Sequence, residues 1–528
     1  MVGKKLILIV IVFTSVILLP IAFLFGESLR GEGGGISFAP MSALILSGRQ
    51  LGLMKNSVLL AAGASACSLI AGIPLALLLN RSDLPGRTFW RAACLVPLAI
   101  PPYLQAVVWA KVFGIINNHL QNLMPAATVK LSIYNIAGGI FVFTVSFFPY
   151  VILITSSGLR TADRALEEAS LLARNVSDTI RGVTLPLIAP HITSSAILVF
   201  VFAIVNFEVS DILRLNVFPV EIFINFSAYY NEKAATILSV PLITVCMLLI
   251  WGQMVYMGER SYADVRTTKE DHPIFRLGSL GPFFQIYATG LVVAALAVPL
   301  VVLLNGAGAA ANYVLAFGKA KGQIYFSVYM AALSSLIMAA FSFAAAYYIE
   351  RGSGVGKKIL DFMLQTPFGV PSIVLGIGLI RVWNRPGLDF VYDTPIILVA
   401  GYLAGYSPFI IKIMSTRIKQ INREFEEAAA FVKGNRSRIF FRILLPLCLP
   451  GLIAGFFAGF VLSISNLGTA LLVSPPGKAT LPIRIYNYMH YGGEETVFAL
   501  SIILIAIISL SFLALAPGFR VLRSKGLL

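Results

Sequence analysis

The stretch Glu427-Ala428-Ala429-Ala430-Phe431-Val432-Lys433-Gly434-Asn435 is a helix-favouring segment with polar ends, yet it lies between two long apolar runs. Pro446, where the second apolar run begins, lies nineteen positions after Glu427. A looser copy occurs earlier as Glu167-Glu168-Ala169, and Pro186 follows Glu167 at the same distance. In a chain that is otherwise apolar, both segments are expected to lie in water. We call residues 160–186 the first polar island and residues 417–446 the second.

The composition indicates the class of protein. Of the 528 residues, 58% are hydrophobic and only 12% are charged, and the mean hydropathy is +0.86, which a soluble globular domain does not reach. Apolar runs of about 20 residues, the length that spans a bilayer as a helix, recur along the chain, whereas the alternation typical of a membrane barrel is absent. The sequence predicts an all-α polytopic membrane protein with about twelve transmembrane helices. The predicted spans are 5–26, 57–80, 89–115, 133–157, 187–207, 236–257, 282–305, 325–349, 358–382, 394–414, 447–473 and 495–515.

The basic residues indicate how the chain is oriented. The net charge of +16 is not gathered into one basic face, so a nucleic-acid partner is not expected. Lys and Arg instead fall mostly in alternate loops, beginning with Lys4-Lys5, which is typical of the cytoplasmic loops of membrane proteins. This pattern predicts that both polar islands and both termini lie in the cytoplasm.

The two halves of the chain repeat each other. A polar segment, residues 258–281, separates a first half, 1–257, from a second half, 282–528, and is predicted to be a cytoplasmic linker. Pro-x-x-x-Pro occurs at 97–101 and again at 367–371. Three further residues recur 260 positions later: Asn175, Pro186 and Asn206 are matched by Asn435, Pro446 and Asn466. Because each half has an even number of predicted spans, six, the copies form a parallel repeat about an axis along the membrane normal.

Each polar island is predicted to form two short helices joined by a turn. The acidic, alanine-rich stretch favours helix, and Asn175 or Asn435 is suited to cap a second short helix. Pro186 or Pro446 then begins the next span, where a proline costs no hydrogen bond. An ordinary surface loop is the alternative for either island alone, but two copies with one spacing favour a shared function.

The spacing between Glu-Ala-Ala and Leu-Pro resembles the cytoplasmic signature loop of permease subunits of ATP-binding-cassette (ABC) importers. In that family the loop is the coupling helix that fits a groove in the nucleotide-binding subunit, and the resemblance implies two six-helix repeats of the type I importer permease. Glu168 stands in place of the first alanine here, and Ala173 and Lys433 stand in place of the usual glycine. The implied ATPase-coupling residues are Glu167, Glu168, Ala169, Asn175, Pro186, Glu427, Ala428, Ala429, Gly434, Asn435 and Pro446.

The resemblance also implies partners. The phosphate-binding loop Gly-x-x-x-x-Gly-Lys-Ser/Thr does not occur in the sequence, so ATP and Mg are expected on a separate ABC ATPase, in two copies, and no cofactor is expected on this chain. Glu167 and Glu427 are expected to pair with basic groups of that ATPase. A periplasmic or lipid-anchored solute-binding protein is the other implied partner, which places the chain in the bilayer of a bacterial inner membrane.

Catalysis and metal binding by this chain are not predicted. No nucleophile elbow or metal motif occurs, and the four histidines are scattered along the sequence. The four cysteines lie in or beside apolar segments without metal-ligand spacing, so they are expected to be small buried residues. They are Cys67, Cys94, Cys246 and Cys448.

Two fused permease halves in one chain resemble the permeases of ferric-iron and thiamine importers. Residues 209–223, 471–478 and 481–487 are most similar to the iron group. The implied solute is ferric iron or an iron complex, with thiamine, a phosphonate, a polyamine or an inorganic anion as alternatives. An ion-driven secondary transporter is the alternative of a different class, but it requires acidic residues deep within the spans, where this sequence has almost none.

Polar side chains near the outer ends of two matched spans are candidates for the translocation pathway. Polar groups at membrane depth are costly unless they face a cavity or a partner helix. The candidates are Asn206, Glu208, Ser210, Asp211, Ser463, Ser465, Asn466 and Thr469. Hydrogen bonding between helices is the alternative role, and for Asp211 exposure beyond the membrane.

Overall fold

The structure is a computed structural model that describes residues 4–29, 42, 44–123, 130–258, 274–352, 355–422, 424 and 444–524. Within these ranges the regular elements are helices, and a bridge between Ser82 and Phe275 is the one pairing of strand type. The helices, numbered in chain order, are α1 Lys4–Ser28, α2 Gly48–Arg81, α3 Arg87–Ala93, α4 Pro102–Leu123, α5 Ile136–Thr161, α6 Arg164–Ala173, α7 Val176–Thr179, α8 Leu185–Ile204, α9 Glu208–Ile212, α10 Phe218–Ser227, α11 Glu232–Gly258, α12 Gly281–Val292, α13 Val298–Ala307, α14 Ala310–Arg351, α15 Val355–Gln365, α16 Ser372–Trp383, α17 Asp389–Tyr392, α18 Ile396–Lys419, α19 Leu445–Ile464, α20 Gly468–Val473, α21 Leu481–Tyr491 and α22 Glu494–Ser524.

The helices coincide with the predicted spans. In the described part of the chain, nine continuous helical stretches are long and apolar enough to cross a membrane, and two bent helix pairs pass the same test. Helix α1, which has 25 residues and is apolar, occupies the remaining predicted span. The prediction of an all-α polytopic membrane protein is therefore confirmed.

Two of the predicted spans are sharply bent. Residues 89–115 cover parts of two helical stretches, Arg87–Ala99 and Pro102–Leu123, which meet at 92°. Residues 358–382 cover parts of Gly356–Gly369 and Ser372–Trp383, which meet at 108°. The residue before the second proline of each Pro-x-x-x-Pro, Ile100 or Val370, has an extended backbone with ψ of 107° or 124°. A proline ring disfavours the helical conformation of the residue that precedes it. The prolines of the repeat therefore break both spans.

The span that follows each polar island is also interrupted, near its end. Helix α8 ends at Ile204 and α9 begins at Glu208, while α19 ends at Ile464 and α20 begins at Gly468. The sequence predicted one continuous span over 447–473, and the structure divides it. The interruption recurs at the offset of the repeated asparagines (468 − 208 = 260), so it belongs to the repeated fold.

The described chain forms two compact units. The first contains residues 1–42, 229–240 and 306–528, and the second contains 43–228 and 241–305. Helices α14, α18 and α19 pack together in the first unit, and the corresponding α2, α5 and α8 pack together in the second. These units do not coincide with the predicted halves 1–257 and 282–528. The division into halves remains a prediction based on the repeat.

The units differ from the halves because the first helix of each half packs in the unit that consists mainly of the other half. Helix α1 packs on α16 in the first unit, where a Cβ at Gly378 would lie 2.9 Å from the carbonyl oxygen of Pro20. In the second unit, Tyr287 of α12 donates a hydrogen bond to the carbonyl oxygen of Ala71 (2.8 Å), and Gln105 donates one to that of Ala295 (2.7 Å). Both sets of contacts join segments that are distant in sequence.

Candidate functional site

The first polar island folds into the two short helices that the sequence predicts. The Asp163 side chain accepts a hydrogen bond from the backbone N–H of Ala165 (2.9 Å) at the start of α6. Asn175 caps α7, since its side-chain oxygen accepts from the N–H of Asp178 (2.8 Å). The hydroxyl oxygens of Ser170 and Thr179 lie 2.9 Å apart and join the two helices. The expected helix–turn–helix and its asparagine cap are confirmed.

The side chain of Glu167 points into the protein. It is 1% exposed, and its Oε2 lies 2.8 Å from Nε of Arg81, whose side chain is 3% exposed. Thr184 donates a hydrogen bond to Oε1 of Glu167 (2.8 Å). Burial raises the pKa of the Glu167 carboxyl, and the Arg81 guanidinium and the Thr184 hydroxyl act in the opposite direction. The expectation that Glu167 pairs with a basic group of a partner protein is wrong, because the chain supplies that group itself.

Arg81 connects the first polar island to the ends of two long helices. It is the last residue of α2, and its Nη2 donates to the carbonyl oxygen of Leu159 near the end of α5 (2.6 Å). The carbonyl oxygen of Arg81 accepts from the N–H groups of Ile274 and Phe275, which lie within the predicted linker. Arg81 therefore connects Glu167 to the ends of α2 and α5.

Arg81 is not among the residues that the sequence analysis singled out. The signal that could have identified it is the repeat, since Arg351 follows Arg81 at the offset of the Pro-x-x-x-Pro elements (351 − 81 = 270). Arg351 is the last residue of α14, and its Nη2 donates to the carbonyl oxygens of Ile418 and Ile421. The two arginines thus occupy matching positions in the two units.

Apolar side chains project from the outer face of the first polar island. Leu172 is 92% exposed and Leu166 is 51% exposed, and Val176 is exposed at the start of α7. Glu168 and Ala169 are exposed beside them. An apolar surface with polar residues around it is typical of a protein-binding site. Pro186, also exposed, lies in the first turn of α8.

The structure describes the second polar island only near its two ends, at residues 417–422, 424 and 444–446. Glu427, Ala428, Ala429, Gly434 and Asn435 lie outside the described residues. Pro446 is described and occupies the first turn of α19, as Pro186 does in α8.

In the second unit, the pathway candidates surround the break between α8 and α9. The Asn206 side chain accepts a hydrogen bond from the N–H of Val209 (2.9 Å), and Ser210 donates to the carbonyl oxygen of Asn206 (3.1 Å). Ser210 is fully buried, while Glu208 and Asp211 are half-buried. Asn206 therefore holds the first turn of α9.

In the first unit, Asn466 has the matching role. Its side-chain oxygen accepts from the N–H of Ala470 (3.1 Å), and its amide nitrogen donates to the hydroxyl of Tyr406 (2.6 Å). Thr469 donates to the carbonyl oxygen of Ser372 (3.1 Å), which joins α20 to α16. Ser463 is buried and Ser465 is half-buried. These bonds favour the structural alternative for Asn206, Asn466 and Thr469, and a role in the pathway stays a prediction.

The comparison with known families agrees with this repeated architecture. The family model described as binding-protein-dependent transport system inner membrane component matches the chain twice, at residues 68–255 and 339–517. The chain belongs to this family. It is a multi-pass permease with two copies of the domain in one polypeptide, and it serves transport rather than catalysis. Importers of this family work with an ATPase and a solute-binding protein.

Similar permeases differ in how much of this chain they match. An Fe(3+)-transport system permease of Haemophilus influenzae is 24% identical over 84% of this chain and 85% of its own length. A ferric transport system permease of Actinobacillus pleuropneumoniae is 22% identical over 96% of this chain and 76% of its own length. A probable molybdenum permease of Haloferax volcanii is 28% identical, but over 34% of this chain and 69% of its own length.

Proposed function

We propose that this permease carries ferric iron, free or complexed, and that a separate ABC ATPase drives it by docking on the polar islands. The observation that carries the docking role is the construction of α6. Glu167 is held by a buried ion pair, while Leu172 and Leu166 of the same helix are exposed. The iron assignment is supported by the two ferric permeases that are similar over most of the chain.

The exposed leucines would gain from a partner. Burying a leucine side chain stabilises a complex by about 1.5–3 kcal/mol, so covering Leu172 and Leu166 in a groove supplies part of the docking energy. Glu168, exposed beside them, adds a charge that favours a basic rim on the ATPase. ATP and Mg would bind to two ATPase copies, and this chain would bind neither.

The buried pair gives the docked helix a mechanical role. When ATP binding draws the ATPase subunits together, the island moves with its partner, and the Glu167–Arg81 contact passes that movement to α2 and α5. The translocation pathway then opens to each side of the membrane in turn. In this arrangement both termini lie in the cytoplasm, and a solute-binding protein delivers iron from the other side.

Co-purification with the ATPase tests the docking role. Leu172→Arg places a charge at the centre of the proposed surface, and we expect the ATPase to be lost from the purified complex. Tyr491→Arg is the matched control, because Tyr491 is also 92% exposed but lies at the end of α21, outside the islands. Equal ATPase recovery with both variants would refute docking at this surface.

Uptake into proteoliposomes tests the solute. The permease, its ATPase and its binding protein are reconstituted, and uptake of radioactive ferric iron is measured with and without ATP inside. We expect ATP-dependent uptake that excess thiamine, putrescine or molybdate does not inhibit. Uptake of one of these solutes in place of iron would refute the assignment, and uptake driven by an ion gradient without ATP would indicate a secondary transporter.

A further inference from the structure

The short helices α10 and α21 are copies of each other, one in each unit. Pro219 lies in the first turn of α10 and Pro482 in the first turn of α21 (482 − 219 = 263). The N–H group that begins α10 donates to the hydroxyl oxygen of Ser57, and the one that begins α21 donates to that of Ser327. The repeat also relates these two serines (327 − 57 = 270). The residues of α10 and α21 can therefore be compared position by position.

Helix α10 contains a buried carboxylate whose charge is balanced within the second unit. The Glu221 side chain is 8% exposed, and its Oε2 lies 2.9 Å from Nη2 of Arg49. The side-chain amides of Gln50 and Asn225 donate to Oε1 of Glu221, each over 3.4 Å. The second unit thus neutralises and satisfies this position with its own residues.

In the first unit the charge at the same position is inverted. Arg484 of α21 corresponds to Glu221 (484 − 221 = 263), and Lys319 of α14 corresponds to Arg49 (319 − 49 = 270). Within the described ranges neither Arg484 nor Lys319 forms an ion pair. Glu495, near the start of α22, accepts a hydrogen bond from an asparagine of α14 instead (3.0 Å). Two positive charges therefore replace a neutral ion pair.

Tyr488 holds the Arg484 side chain in a fixed orientation. Nη2 of Arg484 donates to the hydroxyl of Tyr488 (2.7 Å), and the central guanidinium carbon lies 4.4 Å from the centre of the tyrosine ring. Tyr488 corresponds to Asn225 (488 − 225 = 263), so both copies use this position to orient the charged side chain. In the described part of the chain, Nη1 of Arg484 has no hydrogen bond. An oriented guanidinium with N–H groups to spare is suited to bind a carboxylate.

The face of α21 that contains Arg484 is polar and aromatic. Asn487 and Tyr491 follow Arg484 by three and seven positions, so they lie on the same side of the helix. Both are exposed, and Tyr491 is 92% exposed. Arginine and tyrosine are enriched where proteins bind one another, whereas a surface that contacts lipid tails is apolar. This composition favours a protein partner.

The position of α21 along α14 indicates which partner can reach it. Ser327, which anchors α21, lies 24 residues before Arg351 at the end of α14 (351 − 327 = 24), a distance of about 36 Å along a helix. Arg351 corresponds to Arg81, which contacts the first polar island. Helix α21 is therefore remote from the end of α14 that corresponds to the polar-island end of α2. An ATPase docked on the islands does not compete for it.

We propose that Arg484 binds a carboxylate on the surface of the solute-binding protein, and that only the first unit provides this contact. The proposal rests on the proposed function, in which that protein delivers the solute on the side opposite the ATPase. The acid of the partner takes the place that Glu221 fills in the second unit. Lys319 adds a second positive charge to the same end of α14, which attracts an acidic surface.

Binding of the purified solute-binding protein, the one used in the uptake assay, tests this contact. The full permease with its ATPase is placed in nanodiscs of phosphatidylcholine, which has no net charge. At low salt we expect Arg484→Gln to weaken the affinity about tenfold, and the difference should shrink at high salt because salt screens the charges. Arg49→Gln is the matched control and should leave the affinity unchanged, since Arg49 pairs within the chain. The affinity of the wild type itself should fall with salt, a test that needs no variant to fold.

A carbodiimide cross-linker identifies the group that Arg484 meets. Arg484→Lys places an amine at this position, and the carbodiimide joins an amine to a neighbouring carboxylate as an amide, with loss of water. We expect mass spectrometry to find position 484 linked to an Asp or Glu of the binding protein. Arg49→Lys should give no such link.

The possible failures are distinguishable. Equal affinity of the wild type and Arg484→Gln overturns the contact, as does an affinity that salt does not change. A loss that appears only in nanodiscs with anionic phosphatidylglycerol would assign Arg484 to a lipid headgroup, and an equal loss in Arg49→Gln would show a general charge effect. Either result overturns the proposal, whereas a wild-type permease that binds no solute-binding protein would refute the proposed function itself.

Discussion

The guanidinium of Arg81 and the carboxylate of Glu167 lie 2.8 Å apart, and both side chains are almost completely buried. Removing one partner of a buried ion pair leaves an uncompensated charge and destabilises a protein by about 3–5 kcal/mol. Through Arg81, Glu167 of the first polar island therefore fixes α6 to the ends of α2 and α5. In the proposed docking, the exposed residues of α6 contact the ATPase.

We expect Glu167→Gln to lower the free energy of unfolding by about 3–5 kcal/mol, because Arg81 would remain buried without its counter-charge. Thermal unfolding of the purified permease measures this. Glu168→Gln is the control, since that carboxylate is exposed and exposed ion pairs contribute about 0–1 kcal/mol.

A double substitution makes the test sharper. Arg81→Met together with Glu167→Leu removes both charges, and replacement of a buried ion pair by apolar residues is often neutral for stability. We expect the double variant to be more stable than Glu167→Gln. A double variant as unstable as the single one would show that the two charges do not act as a pair.

The second polar island should contain the matching pair. Arg351 donates to the carbonyl oxygen of Ile418, as Arg81 donates to that of Leu159, and the repeat relates the two arginines (351 − 81 = 270). We predict that Arg351 pairs with Glu427. Arg351→Glu and Glu427→Arg should each reduce ATP-driven transport, and the two together should restore part of it.

The neighbouring acid provides the control for this charge exchange. Glu426→Arg combined with Arg351→Glu should restore nothing, because Glu426 is one residue out of register with Glu167 in the repeat. Equal recovery of transport with Glu426→Arg would mean that the exchange acts through net charge. Arg351 and Glu427 would then not form a specific pair.

Much of this architecture follows from local sequence signals. Span lengths, the proline breaks at Ile100 and Val370 and the Asn175 cap depend on residue type and spacing, which a single sequence displays. The burial of Glu167 does not, because the same spacing allows α6 to turn either face toward the membrane helices. That choice depends on Arg81, which is distant in sequence and recognisable only through its repeat at Arg351.

The packing of α4 against α9 was also hidden in the sequence, because no local pattern encodes a contact between these two helices. The packing of α1 with the second-half helices is a contact of the same kind, set by tertiary structure alone.

The two asparagines at the helix breaks should differ in their importance for stability. Asn206→Ala removes one helix cap, which costs about 1 kcal/mol. Asn466→Ala removes a cap and also the hydrogen bond to Tyr406, so we expect the larger loss. Thermal unfolding of both variants measures the difference. Tyr406→Phe should cost less in the Asn466→Ala background than in the wild type, and fully additive losses would show that the two side chains are not bonded.

Two serines at matching positions should hold the short helices α10 and α21. The hydroxyl oxygen of Ser57 accepts from the N–H of Phe218 (2.8 Å), and that of Ser327 accepts from the N–H of Leu481 (2.6 Å). Both serines are buried, and the repeat relates their positions (327 − 57 = 270). Each alanine substitution leaves a backbone N–H buried without a partner, so we expect a loss of about 1–3 kcal/mol.

Hydrogen exchange measured by mass spectrometry distinguishes this role from ordinary packing. Ser57→Ala should accelerate exchange at the start of α10 and Ser327→Ala at the start of α21, each without affecting the other helix. Ser501→Ala is the control, because the Ser501 hydroxyl is equally buried but donates only to the carbonyl oxygen of Val497 in its own helix. Since that bond leaves no distant N–H unsatisfied when it is lost, the control should leave exchange in α10 and α21 unchanged. Equal exchange in all three variants would show that the serines do not anchor these helices.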